Sequence, residues 1–391
     1  MKPVLTIFID SLKPESLEYM PFLNSFSTKK RMKTELGYSL TCHSSFYTGV
    51  HPDKHLTWVF WKYSPNSSPF KWINKSRIYK LPHNNYTKFA CFMLTKIFYG
   101  SRRISGIPLR FVSYWGLWHT PMKYWHYLEP TEYKQSIFDV LPEADIEFEV
   151  VYEANDPSRF IERRVSNQIK PWTYIFIVDI DPLTHKYGQD SAEARKRLGE
   201  IDNILQRVYE YFDRQFSDFY FICFSDHGQS KIEDKIDINS IFRSHGSSLN
   251  DYIHFIDSTF ARFWFRDEKE EAEVRKILAG MTDKGFILEE EHFEKYHIEM
   301  PDNRYGDLIF YLDKPYAFDH GSIKVMGKVF SFQPDYMHGY LPDYVDSDGI
   351  FVSNKQVLDN SYVELVDIMP SILDALDVAV PDYVDGKVLW K

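Results

Sequence analysis

The chain has 391 residues, 44% of them hydrophobic, which is enough for one large domain with insertions or for two domains around a sizeable core. Its net charge of −10 argues against a nucleic-acid polymer as partner, since such binders carry a basic excess. Three cysteines (Cys42, Cys91 and Cys223) without C-x-x-C spacing provide neither a disulfide framework nor a thiolate zinc site, and they fit a reducing compartment.

The first element is the apolar run "VLTIFID" (4–10), which reads as a buried strand ending in Asp10. The N-terminal stretch meets this acid early and lacks a small-residue cleavage pattern, so it does not read as a signal peptide. No run of about 18 apolar residues follows, as an ordinary membrane-spanning helix would need. A cytoplasmic location is expected, with peripheral membrane attachment as the variant. "SLTCHSSFYTG" (39–49) reads as a short helix with Ser39 at its start.

Residues 54–128 contain no Asp or Glu but twelve Lys/Arg and six of the nine tryptophans, so the rest of the chain is correspondingly more acidic. This basic aromatic insertion, taken as 56–135, suits a cap over an anionic substrate, a membrane-surface patch or a sugar-stacking groove. Then come a second acid-ended run, "YIFIVDID" (174–181), an amphipathic helix over 191–216 and a third run, "FYFICFSDH" (219–227). Residues 240–330 mix strand-like "STFARFWF" and "LIFYL" with helical "DEKEEAEVRKILAGM", a pattern expected of a smaller α+β cap subdomain. The closing "YVELVDIMPSILDALDVAVPDYVDGKVLW" reads as a helix followed by a Pro/Gly loop.

Strands apolar at consecutive positions and separated by helices indicate an α/β fold with a mostly parallel sheet covered on both faces. Ligands bind beyond the carboxyl ends of such strands. Asp10, Asp181 with His185, and Asp226 with His227 therefore gather on one rim, the "DPLTH" pair (181–185) placed where a strand turns into a loop. Any one strand-end Asp also serves as a turn former or helix cap; three of them, two with a nearby histidine, point to a metal site. Carboxylates and imidazoles together suit zinc and similar divalent ions, and two such ions can clamp the attacking and leaving oxygens of a phosphoryl group. A further histidine is needed, and both His320 ("FDHGS") and His338 ("YMHGY") qualify on the residues alone.

These motifs resemble the alkaline phosphatase superfamily, and within it the type I phosphodiesterase/nucleotide pyrophosphatase family. That family carries an early strand-end Asp, then T-F-P-N-H, T-G-x-x-P-x-x-H-G, D-x-x-G-H-x-x-G, S-D-H-G and H-G-Y. In the same order stand "FID" (8–10), "SLTCH" (39–43), "TGVHPDKH" (48–55), "DPLTHKYG" (181–188), "SDHG" (225–228) and "HGY" (338–340). "DIMPSILDAL" (367–376) resembles the superfamily's C-terminal element.

The resemblance implies a three-layer sandwich forming a single catalytic domain over 1–391. It also implies one ion held by Asp10, Asp226, His227 and the nucleophile, a second held by Asp181, His185 and His338, and zinc, or else manganese, as the metal. Aligned on Thr48-Gly49, the family's nucleophilic threonine falls on Ser39, with Thr41 as the rival attacker. Thr41, Cys42 and His43 then occupy the places of the family's proline, asparagine and histidine, beside the phosphoryl oxygens. Cys42 replaces an amide that holds a phosphoryl oxygen, and Leu56 and Thr184 replace glycines, so the chemistry is implied more strongly than a nucleotide preference. The expected function is phosphate-ester hydrolysis through a phosphoseryl intermediate on an anionic substrate; the alternative is transfer of a phosphoryl-linked group to a glycan or lipid acceptor. "CHSSF" lacks the Pro and Arg of the sulfatase motif, which argues against that activity. No oligomeric state is implied.

Overall fold

A computed structural model describes residues 2–66, 135–152, 169–319, 334–358 and 362–390, with short pieces between 68 and 117 and between 323 and 330. Most of the basic aromatic insertion and His320 lie outside the described residues. The described residues fall into two compact units.

The first unit comprises Met1–Trp58, Tyr124–Lys231 and Asp335–Lys391. It is built on a seven-stranded sheet in the order Tyr362–Glu364, Thr28–Lys33, Gly349–Ser353, Tyr220–Phe224, Val4–Ile9, Trp172–Ile177, Phe148–Tyr152. Val4–Ile9 pairs parallel with both Trp172–Ile177 and Tyr220–Phe224, and Phe148–Tyr152 extends the parallel run. Only Gly349–Ser353 runs antiparallel to its two neighbours. The sheet is thus mostly parallel, as its unbroken apolar strands indicate.

Strand periodicity sends alternate side chains to opposite layers. Leu5, Ile7 and Ile9 join Ile175, Ile177, Phe221 and Cys223 in one cluster with Leu198, Ile201, Leu205, Val208 and Phe212. These last residues form the buried stripe of the helix Ala192–Gln215, whose start is capped by the Ser191 hydroxyl accepting from Ala194 N at 3.1 Å. Asp202 also lies on that stripe, where its carboxylate accepts from the backbone N–H groups of Phe22 and Leu23 at 2.7 and 3.0 Å. Burial would otherwise make such a carboxylate costly.

On the opposite face Phe8 packs on Phe46 and Phe224, and Tyr47 meets Phe138 and Tyr174. The helices Ser39–Thr48 and Ile137–Glu143 therefore cover that side, which completes three layers. The start of the C-terminal segment departs from the helix-then-loop reading: Tyr362–Glu364 is an edge strand and the helix proper is Ile368–Ala375. The β-branched Val363 sits fully buried in that strand beside Met32.

The second unit comprises Val59–Lys123 and Ile232–Pro334. Its four-stranded antiparallel sheet has the order Ile253–Ile256, Phe260–Trp264, Leu308–Leu312, Gly285–Ile287. The helix Glu268–Leu278, capped by Asp267, buries Val274, Ile277 and Leu278 against Phe263, Phe310 and Leu312. Arg262 lies at the centre of this sheet, fully buried. Its Nε donates to Asp257 at 3.0 Å, its Nη1 to the Trp61 carbonyl at 2.8 Å, and its guanidinium carbon lies 4.7 Å from the Phe255 ring centre.

Candidate metal centre

The parallel register fixes the rim. Phe8 stands beside Phe176 and Phe224, so Asp10 and Asp226, each two residues further on, leave the sheet at the same level. Ser11 then turns through a left-handed conformation (φ +63°) that directs its N–H to Asp226 Oδ1 at 3.3 Å. Ser225 Oγ accepts from Leu12 N at 2.7 Å, binding the two strand ends together.

Asp181 and His185 differ from the strand-to-loop reading. The strand ends at Ile177, and both residues lie on the helix Ile180–Tyr187 at i,i+4 spacing, which places them on one face. His185 Nδ1–H donates to the Tyr336 carbonyl at 2.8 Å, which leaves Nε2 facing Asp181 Oδ1 at 3.3 Å. Tyr336–Met337 pairs with Ser230–Lys231 in a two-stranded antiparallel ribbon, and His338 follows it. His338 Nε2 lies 3.9 Å from Asp181 Oδ1.

Ser39 begins the helix Ser39–Thr48 and is its one residue that is not buried. Its Oγ stands 3.0 Å from His227 Nε2. His227 Nδ1–H donates to the Gly228 carbonyl at 3.0 Å, so Nε2 presents a lone pair. Around that atom are Asp226 Oδ2 at 3.3 Å and Asp10 Oδ1 at 3.5 Å. The His227 ring also stacks on His338, with centres 3.8 Å apart and planes within 9°. Two groups of potential ligand atoms result, Asp10–Asp226–His227 and Asp181–His227–His338, each within 4.8 Å. His227 is common to both, while His185 joins the second through Asp181.

The electrostatics agree with a cation-binding role. Burial, reinforced by Asp226 and Asp181, holds the Asp10 carboxyl well above the usual carboxylate range. Burial likewise raises Asp226 against the opposing effect of His227 and the Ser11 N–H. Burial would also raise Asp181, but His185, His338 and His227 outweigh it and keep that carboxyl low. Burial and then His227 push His338 well below its ordinary value, so its imidazole is neutral, the form that ligates a metal.

Asp10 Oδ1 and Asp226 Oδ2 are buried and take no hydrogen bond among the described residues. Buried carboxylate oxygens left without donors are costly. A divalent cation bound by oxygen and imidazole nitrogen supplies what they lack, so the residues present fit such an ion.

Thr41, Cys42 and His43, further along the Ser39 helix, are buried. The Thr41 hydroxyl donates to the Trp58 carbonyl. Cys42 Sγ lies 3.4 Å from Thr34 Oγ1, and burial raises its thiol well above the usual range. His43 packs edge-on to Phe8 beneath the rim, its Nε2 3.9 Å from Asp226 Oδ2, and burial with His227 lowers it to about 3.

One feature of the site escaped the sequence reading. Gln229 Nε2 donates to Asp181 Oδ1 at 2.8 Å; its place directly after "SDHG" was the available signal. Gly339 has φ +83°, and a Cβ there would lie 2.5 Å from Tyr38 Cε1 and 2.9 Å from the Gly37 carbonyl oxygen. The His338–Gly339 turn is thereby locked against the residues that lead into Ser39.

Residues 4–341 match the profile of the family described as type I phosphodiesterase / nucleotide pyrophosphatase. Among solved structures, human ectonucleotide pyrophosphatase / phosphodiesterase 5 superposes with a TM-score of 0.68 at 13% identity, over 99% of this chain and 97% of that one. An inactive form of the murine protein in complex with AMP gives a TM-score of 0.67 at 13% identity, over 99% and 98%. The likeness is one of fold, the alkaline-phosphatase-like sandwich. No curated protein matches the sequence at a significant level.

Proposed function

The chain belongs to the type I phosphodiesterase / nucleotide pyrophosphatase family, a family of metal-dependent phosphate-ester hydrolases, and on that premise we propose that it cleaves phosphodiesters through a phosphoryl group carried covalently on Ser39. The observation that carries the reading is Ser39 Oγ, 3.0 Å from His227 Nε2, at the residue the two ligand groups share. Asp10, Asp226 and His227, with Ser39, would hold one divalent ion; Asp181, His185 and His338 would hold a second. Zinc suits this donor set, with manganese as the alternative. When bound, such ions lower the pKa of a coordinated hydroxyl and offset charge on the phosphoryl oxygens.

The remaining steps belong to the chain's own atoms. Ser39 Oγ gives up its proton and forms a bond to phosphorus as the opposite P–O bond breaks, and the leaving alkoxide takes up a proton, so the step is proton-neutral. Water then attacks the same phosphorus from the side the leaving group vacated, which frees Ser39 and releases a phosphomonoester. The Gly228 carbonyl keeps the His227 Nδ1 proton in place, so the Nε2 lone pair stays directed at the ion site beside Ser39. The start of the Ser39 helix directs backbone N–H groups to the phosphoryl oxygens. That role matters because Cys42 Sγ lies against Thr34 and a thiol is a weak donor.

The murine relative holds AMP, and a nucleotide phosphodiester is accordingly the first substrate class to assay. Turnover of bis(p-nitrophenyl) phosphate should exceed that of p-nitrophenyl phosphate in zinc- or manganese-loaded protein. Ser39→Ala should lower it by at least about 10³-fold, and acid quenching of the wild type should trap phosphate on Ser39. Near-normal activity in a metal-loaded Ser39→Ala protein would exclude Ser39 as the nucleophile.

A further inference from the structure

Gln229 is 7% exposed and sits between two motifs that the proposed chemistry already uses. It follows the Ser225–Gly228 turn and precedes Ser230–Lys231, whose partner strand leads into His338. The Tyr336 carbonyl of that partner accepts the His185 Nδ1 proton. Gln229 therefore belongs to a ribbon that already orients two of the three residues assigned to the second ion. Its amide reaches the third, donating from Nε2 to Asp181 Oδ1 at 2.8 Å.

Oδ1 is also the oxygen that faces His185 Nε2 at 3.3 Å and His338 Nε2 at 3.9 Å. A carboxylate oxygen has two lone-pair sites. The Gln229 N–H occupies one and leaves the other directed at the imidazoles. A neutral amide does this without adding positive charge where a cation must bind, which a Lys or Arg donor would not achieve. Gln229 Oε1 is buried and takes no hydrogen bond among the described residues, so the hydrogen bond to Asp181 comes from the N–H side of the amide alone.

We propose that Gln229 is a positioning residue for the second cation: it fixes the Asp181 carboxylate so that Oδ1, with one lone pair left open, is presented together with His185 and His338. The inference rests on the two-cation reading above. Partners that orient a metal ligand in this way typically change affinity by about 10–100-fold when removed.

The test is equilibrium dialysis of chelator-stripped protein against zinc, with bound metal measured directly, and a parallel cobalt titration followed by visible absorption. Wild type should bind two equivalents. Gln229→Met, which keeps the volume but removes the donor, and Gln229→Ala should each bind one equivalent as tightly as wild type. The other should be about 10–100-fold weaker, with a changed cobalt spectrum for that equivalent. Urea unfolding in excess chelator should place both variants near wild type, which separates positioning from a general folding defect. Two tight equivalents with an unchanged cobalt spectrum in either folded variant would overturn the assignment. Wild-type protein that binds no zinc or only one equivalent would overturn the two-cation reading, and the role of Gln229 with it.

Discussion

Replacing Gly339 with alanine adds one carbon at a point where the site has no room. The backbone there is left-handed (φ +83°), which costs an L-residue roughly 1–2 kcal/mol. The new Cβ would stand 2.5 and 2.8 Å from two atoms of the Tyr38 ring and 2.9 Å from the Gly37 carbonyl oxygen. The backbone oxygen cannot swing aside as a flexible side chain can, so a further overpacking cost of about 1–3 kcal/mol is expected. Together these give roughly 2–5 kcal/mol. Gly246 is the control: its φ is +73° but an added Cβ meets nothing within 4 Å, so Gly246→Ala incurs only the backbone cost. Guanidinium unfolding of the two variants should differ by about 1–3 kcal/mol. Relief of the clash must displace either His338, which precedes Gly339, or Tyr38, which precedes Ser39. Displacement of reacting groups by about 1 Å costs on the order of 10²-fold in rate, and bis(p-nitrophenyl) phosphate turnover should fall accordingly. Equal destabilisation by the two alanines, with turnover unchanged, would refute the coupling of His338 to the Ser39 helix.

The second unit offers a test of its buried ion pair. Arg262→Met strands Asp257, whose carboxyl burial already raises to about 6 against the pull of Arg262, and should cost about 3–5 kcal/mol. Adding Asp257→Asn should recover part of that loss in denaturant titrations; no recovery would show that the cost lies in packing against Phe255 and Trp264. In the first unit, burial alone would lower His51, but Glu35 at 3.0 Å, with Asp385 and Glu364, brings it up to about 9. A folded-state value above the unfolded one stabilises fully below about pH 6.5, and the benefit disappears as pH rises through about 9. Wild type should lose about 3 kcal/mol more than His51→Asn across that window, and parallel stability curves for the two proteins would contradict it.

Much of the sheet was legible because its strands are buried on both sides. "VLTIFID" and "FYFICFSDH" carry no alternation, and their terminal acids mark where the cover of helices ends. Asp181 was legible as a rim residue but not as a helical one. "DIDPLTHKYG" has few apolar residues, and its helix is held by tertiary contacts such as His185 Nδ1 to the Tyr336 carbonyl. Tyr362–Glu364 was hidden for a related reason, since its strand character comes from pairing with Thr28–Lys33, more than three hundred residues away in the chain. The sharing of His227 between two ligand groups depends on ring stacking with His338, a contact that no motif spacing encodes. Gln229 lay in plain sight as the residue after "SDHG", yet a neutral amide gives no signal until the carboxylate it holds is placed beside it.

The ribbon that joins Ser230–Lys231 to Tyr336–Met337 also has a topological consequence. Lys231 faces Tyr336 across it, while the segment Ile232–Pro334 leaves the first unit at one strand and returns at the other. That entire excursion is, for the first unit, the loop of a hairpin, and loop-closure entropy grows only slowly with loop length. The separation of His227 from His338 is set by the clasp and not by the length of chain between them. The fold thus has a junction at which a segment can be lengthened, shortened or exchanged while the residues of the candidate metal centre keep their places.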